Sequence, residues 1–175
     1  MALHGYVNLT KATAWDVDAF NLAGVYAAGD LDNGVIVTLN GIAKTGDNVD
    51  GFEYNVQPAV EASVQAWIVA SPEVGTTLEQ QLLADPRLFY NEKGKAMSLK
   101  YLNPGTDCIE VTAECFVGGT MPTTTNKNIK VGANGKLVAA ASAPASGIYF
   151  TFEGFHTVTI GMEEVKTAVL RCVRN

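Results

Sequence analysis

Histidine and cysteine are the residue types most often used for chemistry at neutral pH, and the 175-residue chain contains few of them. Its two histidines are His4 and His156, and a Ser-His-acid or Cys-His site needs one of them as a base. His4 lies close to the start of the chain, and His156 follows Phe155 between two predicted strands, which is typical of a sheet-edge histidine. No GxSxG motif is present. We therefore predict no catalytic residues and no enzyme activity.

The cysteine pattern argues against a metal centre. The three cysteines, Cys108, Cys115 and Cys172, form no CxxC pair and lie far from both histidines in sequence, so no zinc site is predicted. Cys108 and Cys115 are seven residues apart and would point to opposite faces of a strand, so we expect reduced thiols, as in a reducing cytoplasm. The acidic turns at 30–34 (DLDNG) and 47–51 (DNVDG) lack the spacing of a calcium loop.

Composition and motifs also exclude several partners and cofactors. The net charge is −6, and no basic run exceeds two residues, so neither nucleic acid nor an anionic membrane surface is an expected partner. Glycine-rich phosphate loops are missing, so no nucleotide cofactor is predicted. The sequence also contains no run of about 18 apolar residues and does not begin with a signal-peptide pattern.

The elements that would position any site are mainly β-strands. Short apolar or alternating segments are separated by Gly, Asn, Asp and Pro, which predicts about nine or ten short strands in an antiparallel β-barrel or sandwich. One short α-helix is predicted near 77–85, because Thr77 and Gln80 form a capping box and Pro86 limits its length. The predicted strands, including a hairpin centred on Asn134-Gly135, lie at 35–39, 52–56, 65–70, 97–102, 108–117, 129–138, 148–152, 158–160 and 165–173.

The domain organisation is predicted as an N-terminal arm or first strand at 1–28 followed by a single β-rich domain at 29–175. Trp15, Phe20 and Tyr26 are the candidate partner-binding residues of the first segment, because an apolar, aromatic arm can add to the sheet edge of a partner. If the segment is an arm, its deletion should abolish partner binding and leave the fold intact.

Six segments, taken in order, carry a resemblance to a known class of protein. They are GDLDNGVIVTLNG at 29–41, WIVASPEV at 67–74, FYNEKGKA at 89–96, NPGTD at 103–107, VGANGKL at 131–137 and VLRCV at 169–173. The arrangement resembles the capsid decoration proteins of tailed bacteriophages, also called cement or head auxiliary proteins. The resemblance covers most of residues 29–175 and transfers no functional residues.

The resemblance implies a viral structural protein that binds the outer capsid surface and stabilises the phage head. Its partners would be the lattice of the major capsid protein and, since such proteins are often oligomeric, further copies of itself. It would be made in the host bacterial cytoplasm and reside on the virion. The alternatives are a phage tail or baseplate β-protein, a carbohydrate- or cell-surface-binding module in which exposed aromatics such as Trp15, Trp67 and Tyr90 stack on sugars, and an enzyme with an unrecognised site.

Overall fold

The structure is a computed structural model that describes residues 2–74, 78 and 85–175, and it is mainly β, as predicted. The strands of the described residues are, in chain order, β1 (Val7–Lys11), β2 (Asn21–Val25), β3 (Ile36–Thr45), β4 (Asn48–Pro58), β5 (Trp67–Val69), β6 (Ala96–Tyr101), β7 (Cys108–Val111), β8 (Asn128–Val131), β9 (Leu137–Ala140), β10 (Tyr149–Ile160) and β11 (Glu163–Arg174). Short 3₁₀ segments lie at Thr13–Trp15, Asp18–Phe20, Pro86–Leu88, Ala113–Cys115, Val117–Gly119 and Ala133–Gly135. The helix predicted near 77–85 lies outside the described residues, which include only Leu78 and Asp85 of that stretch.

The strands form two sheets. The first is six-stranded in the order β1-β7-β11-β10-β8-β9, with antiparallel pairing throughout. The second is a closed five-stranded barrel in the order β2-β4-β3-β5-β6. Barrel pairing is antiparallel except between β2 and β4, which run parallel where Gly24 and Val25 lie opposite Tyr54 and Asn55. The fold therefore combines a closed barrel with an open sheet, where the sequence predicted a barrel or a sandwich.

The barrel strands β3 and β5 present alternate residues to two different cores. Ile36 and Ile68 lie opposite each other and belong to the larger core, which they share with the six-stranded sheet. Val37 and Val69, the next residue in each strand, belong to the smaller core formed by the barrel strands. Side chains of a strand alternate between its faces, so β5 and the start of β3 are buried on both sides. That burial explains their continuous apolar sequences, since a half-exposed strand would alternate.

The first 28 residues contribute a strand to each sheet. β1 is an edge strand of the six-stranded sheet and pairs with β7, whereas β2 pairs with β4 and β6 in the barrel. Between them, the backbone N–H and the hydroxyl of Thr13 donate to Oδ1 of Asp107 at 3.0 and 2.6 Å. A chain lacking residues 1–28 would lose a strand from each sheet. The expectation that this deletion leaves the fold intact therefore does not agree with the architecture.

The strand predicted over 108–117 ends at Val111. The side chain of the buried Thr112 accepts a hydrogen bond from the backbone N–H of Tyr6, and its carbonyl accepts one from Cys115. These contacts close a 3₁₀ turn that places the Cys115 sulfur in the core, 3.5 Å from the carbonyl oxygen of Tyr6. The alternating sequence continues past Val111, but local hydrogen bonding ends the ladder there.

The longest hairpin joins β10 and β11, which have twelve residues each. The sequence predicted separate short strands here, but a register shift between Phe152 and Gly154 lets one strand continue through the break. Near the tip of this hairpin, the Arg87 guanidinium donates to Glu163 at 2.8 Å and to both carboxylate oxygens of Asp85. This ion pair ties the hairpin tip to the segment at 85–88.

Candidate functional site

The three aromatic residues predicted to bind a partner line three different depressions. Trp15 lies at a groove of about 530 Å³, and Phe20 lies in a depression of about 460 Å³, where its ring stacks on Tyr101 with centroids 5.8 Å apart. Tyr26 packs against the barrel core and lines a depression of about 360 Å³. The fold therefore does not bring Trp15, Phe20 and Tyr26 into one surface, and each must be considered by itself.

Residues 40–53, the outer part of the β3–β4 hairpin, form a two-stranded ribbon that we call the 40–53 ribbon. β5 pairs only with Ile36 and Val37 of β3, and β2 pairs only with Tyr54 and Asn55 of β4. The 40–53 ribbon therefore has no third strand beside it among the described residues. An isolated two-stranded hairpin is only marginally stable in water, so this ribbon gains from packing on another surface.

The 40–53 ribbon carries exposed apolar side chains, Ile42, Val49 and Phe52, of which Phe52 is 79% exposed. Phe52 also has a φ of +59°, in the left-handed region that costs a residue with a side chain about 1–2 kcal/mol. The register explains this conformation: from the Val49–Lys44 pair to the Tyr54–Ile42 pair, four residues of β4 lie opposite one residue of β3. The bulge thus holds a large aromatic ring in solvent at a conformational cost.

A buried polar network brings together three of the segments that carry the family resemblance. The Asn33 amide donates to the Ser71 carbonyl at 2.9 Å and accepts from the Ser71 N–H at 3.0 Å. The Ser71 hydroxyl donates to Asn91 at 2.5 Å, and the Asn91 amide donates back to Asn33 at 3.1 Å. The network fixes the chain at 71–73, where Glu73 accepts a further bond from Asn33 at 3.1 Å.

Glu73 and Trp15 line the same groove, which we call the Trp15 groove. One wall is formed by residues 6–10 around and within β1, and the other by residues 70–73 together with Ser98 and Lys100 of β6. Burial raises the pKa of the Glu73 carboxyl and lowers the pKa of the Lys100 ammonium. Burial, assisted by the negative charge of Glu73, also raises the pKa of Tyr6. Shifted titratable groups gathered in one groove favour a binding site.

The histidines and cysteines take part in other contacts. His4 pairs with Asp32 at 2.7 Å, and His156 pairs with Glu110 at 3.2 Å. Burial raises the pKa of the Cys115 and Cys172 thiols to about 12, so they are protonated and weakly nucleophilic at neutral pH. Within residues 2–74, 78 and 85–175, no three His, Cys, Asp or Glu side chains are grouped so as to hold a metal ion.

Comparison with protein-family models, with curated proteins and with solved structures found no match to this chain. Within the described part of the chain, no helix has the length and apolar character that crossing a membrane requires. The residues that sequence reasoning missed are Tyr6, Glu73 and Lys100, which are far apart in sequence and line one groove only because β1 lies beside the barrel. The candidate functional surfaces of the chain are the 40–53 ribbon and the Trp15 groove.

Proposed function

We propose that this chain is a viral structural protein that binds the outer surface of a phage capsid and stabilises the head. The observation that carries the proposal is the 40–53 ribbon, because it presents Phe52, Ile42 and Val49 to solvent on a hairpin beside which the described residues place no further strand. An apolar side chain that is held exposed in an unfavourable backbone conformation is stabilised when a partner covers it, because its apolar surface is removed from water. A protein surface is a suitable partner for such a ribbon.

A capsid lattice suits this geometry because it offers the same contact many times. Fully burying a Phe side chain contributes about 1.5–3 kcal/mol, which is modest for one contact. Linked contacts made by an oligomer of this chain would multiply that affinity through effective concentration. Binding the assembled lattice and not its free subunits stabilises the assembled state by mass action. A tail or baseplate position would use the same ribbon, and the experiment below separates the two.

The test incubates purified protein with expanded empty capsids and measures the bound fraction by co-sedimentation and imaging. Phe52→Gly is the informative variant, since glycine adopts a φ of +59° without strain and the change removes the whole benzyl side chain. We expect an unchanged or higher Tm and an affinity for capsids reduced about tenfold, or roughly 1.4 kcal/mol per site. The matched control is Val60→Ser, which alters an exposed apolar residue outside the 40–53 ribbon and should bind normally.

Two outcomes would contradict the proposal. Absence of wild-type density on capsids at saturating protein concentration would exclude a capsid role. Binding of purified tails or baseplates in the same assay would then support the alternative. Equal capsid binding by wild type and Phe52→Gly would show that the 40–53 ribbon is not the attachment surface, whatever the class of protein.

A further inference from the structure

The Trp15 groove contains an exposed aromatic ring that the fold holds in place. Trp15 is 60% exposed, yet it ends a 3₁₀ turn whose first residue, Thr13, is bound by the buried Asp107. Its neighbour Ala14 is fully buried, and the Trp15 N–H donates to the Ala12 carbonyl at 3.0 Å. The backbone that carries the ring is thus fixed before a ligand binds, so only the side-chain torsions of Trp15 lose freedom when a ligand packs on the ring.

Polar side chains face the same space. Glu73 is oriented by the Asn33 amide at 3.1 Å, and Asn8 is oriented because its Oδ1 accepts from the Thr10 N–H at 3.0 Å. Ser98 and Lys100 lie on the same wall as Glu73, opposite Asn8. The groove volume of about 530 Å³ lies within the range of about 300–1,000 Å³ that is common for small-ligand sites. An aromatic platform and convergent hydrogen-bonding groups thus share one depression.

The chemistry of the lining selects among ligands. Glu73 and Lys100 give the lining one negative and one positive group, so neither an anion nor a cation is favoured by both, and the net charge of −6 further disfavours an anion. An apolar ligand would cover Glu73 and Lys100 without replacing their hydrogen bonds to water, at a cost of about 1–3 kcal/mol for each polar group. A neutral ring with one apolar face and many hydroxyl groups can stack on Trp15 and form hydrogen bonds with the polar side chains of the groove. A pyranose has this character.

An extended peptide added to the free edge of β1 fits the groove less well. The Thr10 N–H is already bound by the Asn8 side chain, and the Leu9 carbonyl accepts from Ala12 at 2.8 Å. Strand addition needs free backbone groups along the edge, and this edge is shortened by those local bonds.

We propose that the Trp15 groove binds a neutral oligosaccharide, with a pyranose ring stacked on Trp15 and its hydroxyl groups bonded to Glu73 and Asn8. This function is additional to capsid attachment and does not depend on it, since no residue of the 40–53 ribbon lines the groove. A chain with both surfaces could attach to an assembly through one and to a glycan through the other.

The test is calorimetric titration of the full chain with four probes: maltotetraose, cellotetraose, mannotetraose and the tetramer of N-acetylglucosamine. We expect at least one probe to bind with Kd below about 1 mM. Trp15→Ala should weaken that binding at least tenfold, and Trp15→Phe should weaken it less because a smaller ring remains. Trp67→Phe is the matched control, since Trp67 packs on Tyr101 in another depression and its replacement should leave Kd unchanged. Tm of each variant, measured in parallel, verifies the fold.

The result that overturns the proposal is equally specific. No binding by any of the four probes, or equal binding by Trp15→Ala and wild type, excludes the groove as a saccharide site. A fifth titration uses an alternating Thr-Val hexapeptide. Binding of that peptide in a Trp15-dependent manner, without saccharide binding, would assign the groove to strand addition instead.

Discussion

Removing the Asp107 carboxylate should destabilise the fold more than any other single change to a polar group described above. Asp107 is 2% exposed. Its Oδ1 accepts from the Thr13 N–H and hydroxyl at 3.0 and 2.6 Å, and its Oδ2 accepts from the Asn103 N–H at 2.9 Å. The side chain therefore joins the turn before β7 to the connection between β1 and β2.

The magnitude follows from what Asp107→Ala leaves behind. A hydrogen bond to a charged group contributes about 1.5–3 kcal/mol. The three bonds above are lost together with one from the Thr106 hydroxyl at 3.3 Å, but losses at one residue are not additive. Two backbone N–H groups, those of Thr13 and Asn103, lose their acceptor in a buried region. We expect the free energy of unfolding to fall by about 4 kcal/mol, which for a chain of this length lowers Tm by roughly 8–16 °C. Asp107→Asn, which keeps the shape and one acceptor, should lose about half as much.

The assay is urea unfolding of wild type, Asp107→Ala, Asp107→Asn and Thr13→Val, followed by fluorescence and by circular dichroism. Equal m-values confirm that the variants unfold from the same state. Thr13→Val removes only the hydroxyl bond and should cost about 1 kcal/mol. A loss below about 1 kcal/mol for Asp107→Ala would refute the reasoning, since it would mean that solvent replaces all of the hydrogen bonds to the carboxylate.

Two further changes test other parts of the fold. Gly135→Ala should cost about 2–3 kcal/mol in urea unfolding, because Gly135 has a φ of +71° and an added Cβ would overlap the Ile36 carbonyl oxygen. Gly46→Ala is its control, with a φ of +64° and no atom near the added Cβ, and should cost only about 1 kcal/mol. Hydrogen bonds from Arg87 lower the pKa of Asp85, so the folded state holds the Asp85 proton less tightly than the unfolded chain does. The resulting stability is fully present above pH about 4 and is lost as pH falls through the folded-state pKa, and Asp85→Asn should lack this acid dependence. If the free energy of unfolding of wild type and of Asp85→Asn fell equally as pH dropped from about 4 to about 2, this role of Asp85 would be contradicted.

The parts of the fold that could be predicted are those with a local signal. The hairpin centred on Asn134-Gly135 forms as expected, with Asn134 and Gly135 both at positive φ. For the β3–β4 hairpin the sequence predicts two separate strands, at 35–39 and 52–56, because the glycines between them are typical of loops. Gly46 and Asp47 lie between Ile42 and Val49, and this turn flanked by apolar residues was the signal for a continuous hairpin.

The candidate site could be predicted only in part, because its residues are brought together by non-local pairing. The residue type and position of Trp15 predict a binding role. The sequence predicts the same role for Phe20 and Tyr26, although these two residues line other depressions. Glu73 joins Trp15 through the Asn33 network and the placement of β1 beside the barrel. Strand order leaves no local trace in a sequence, so the grouping appears only in the folded chain.

Because β3 and β5 contribute to both cores, the two sheets depend on each other during unfolding. Ile36 and Ile68 are fully buried in the layer that includes the six-stranded sheet, while Val37 and Val69 are fully buried among the barrel strands. Opening either sheet would expose apolar surface that the other sheet covers, so neither retains its full stabilisation alone. We therefore expect the two sheets to unfold cooperatively, and a protease that cuts one sheet after local opening should release the other from its packing as well.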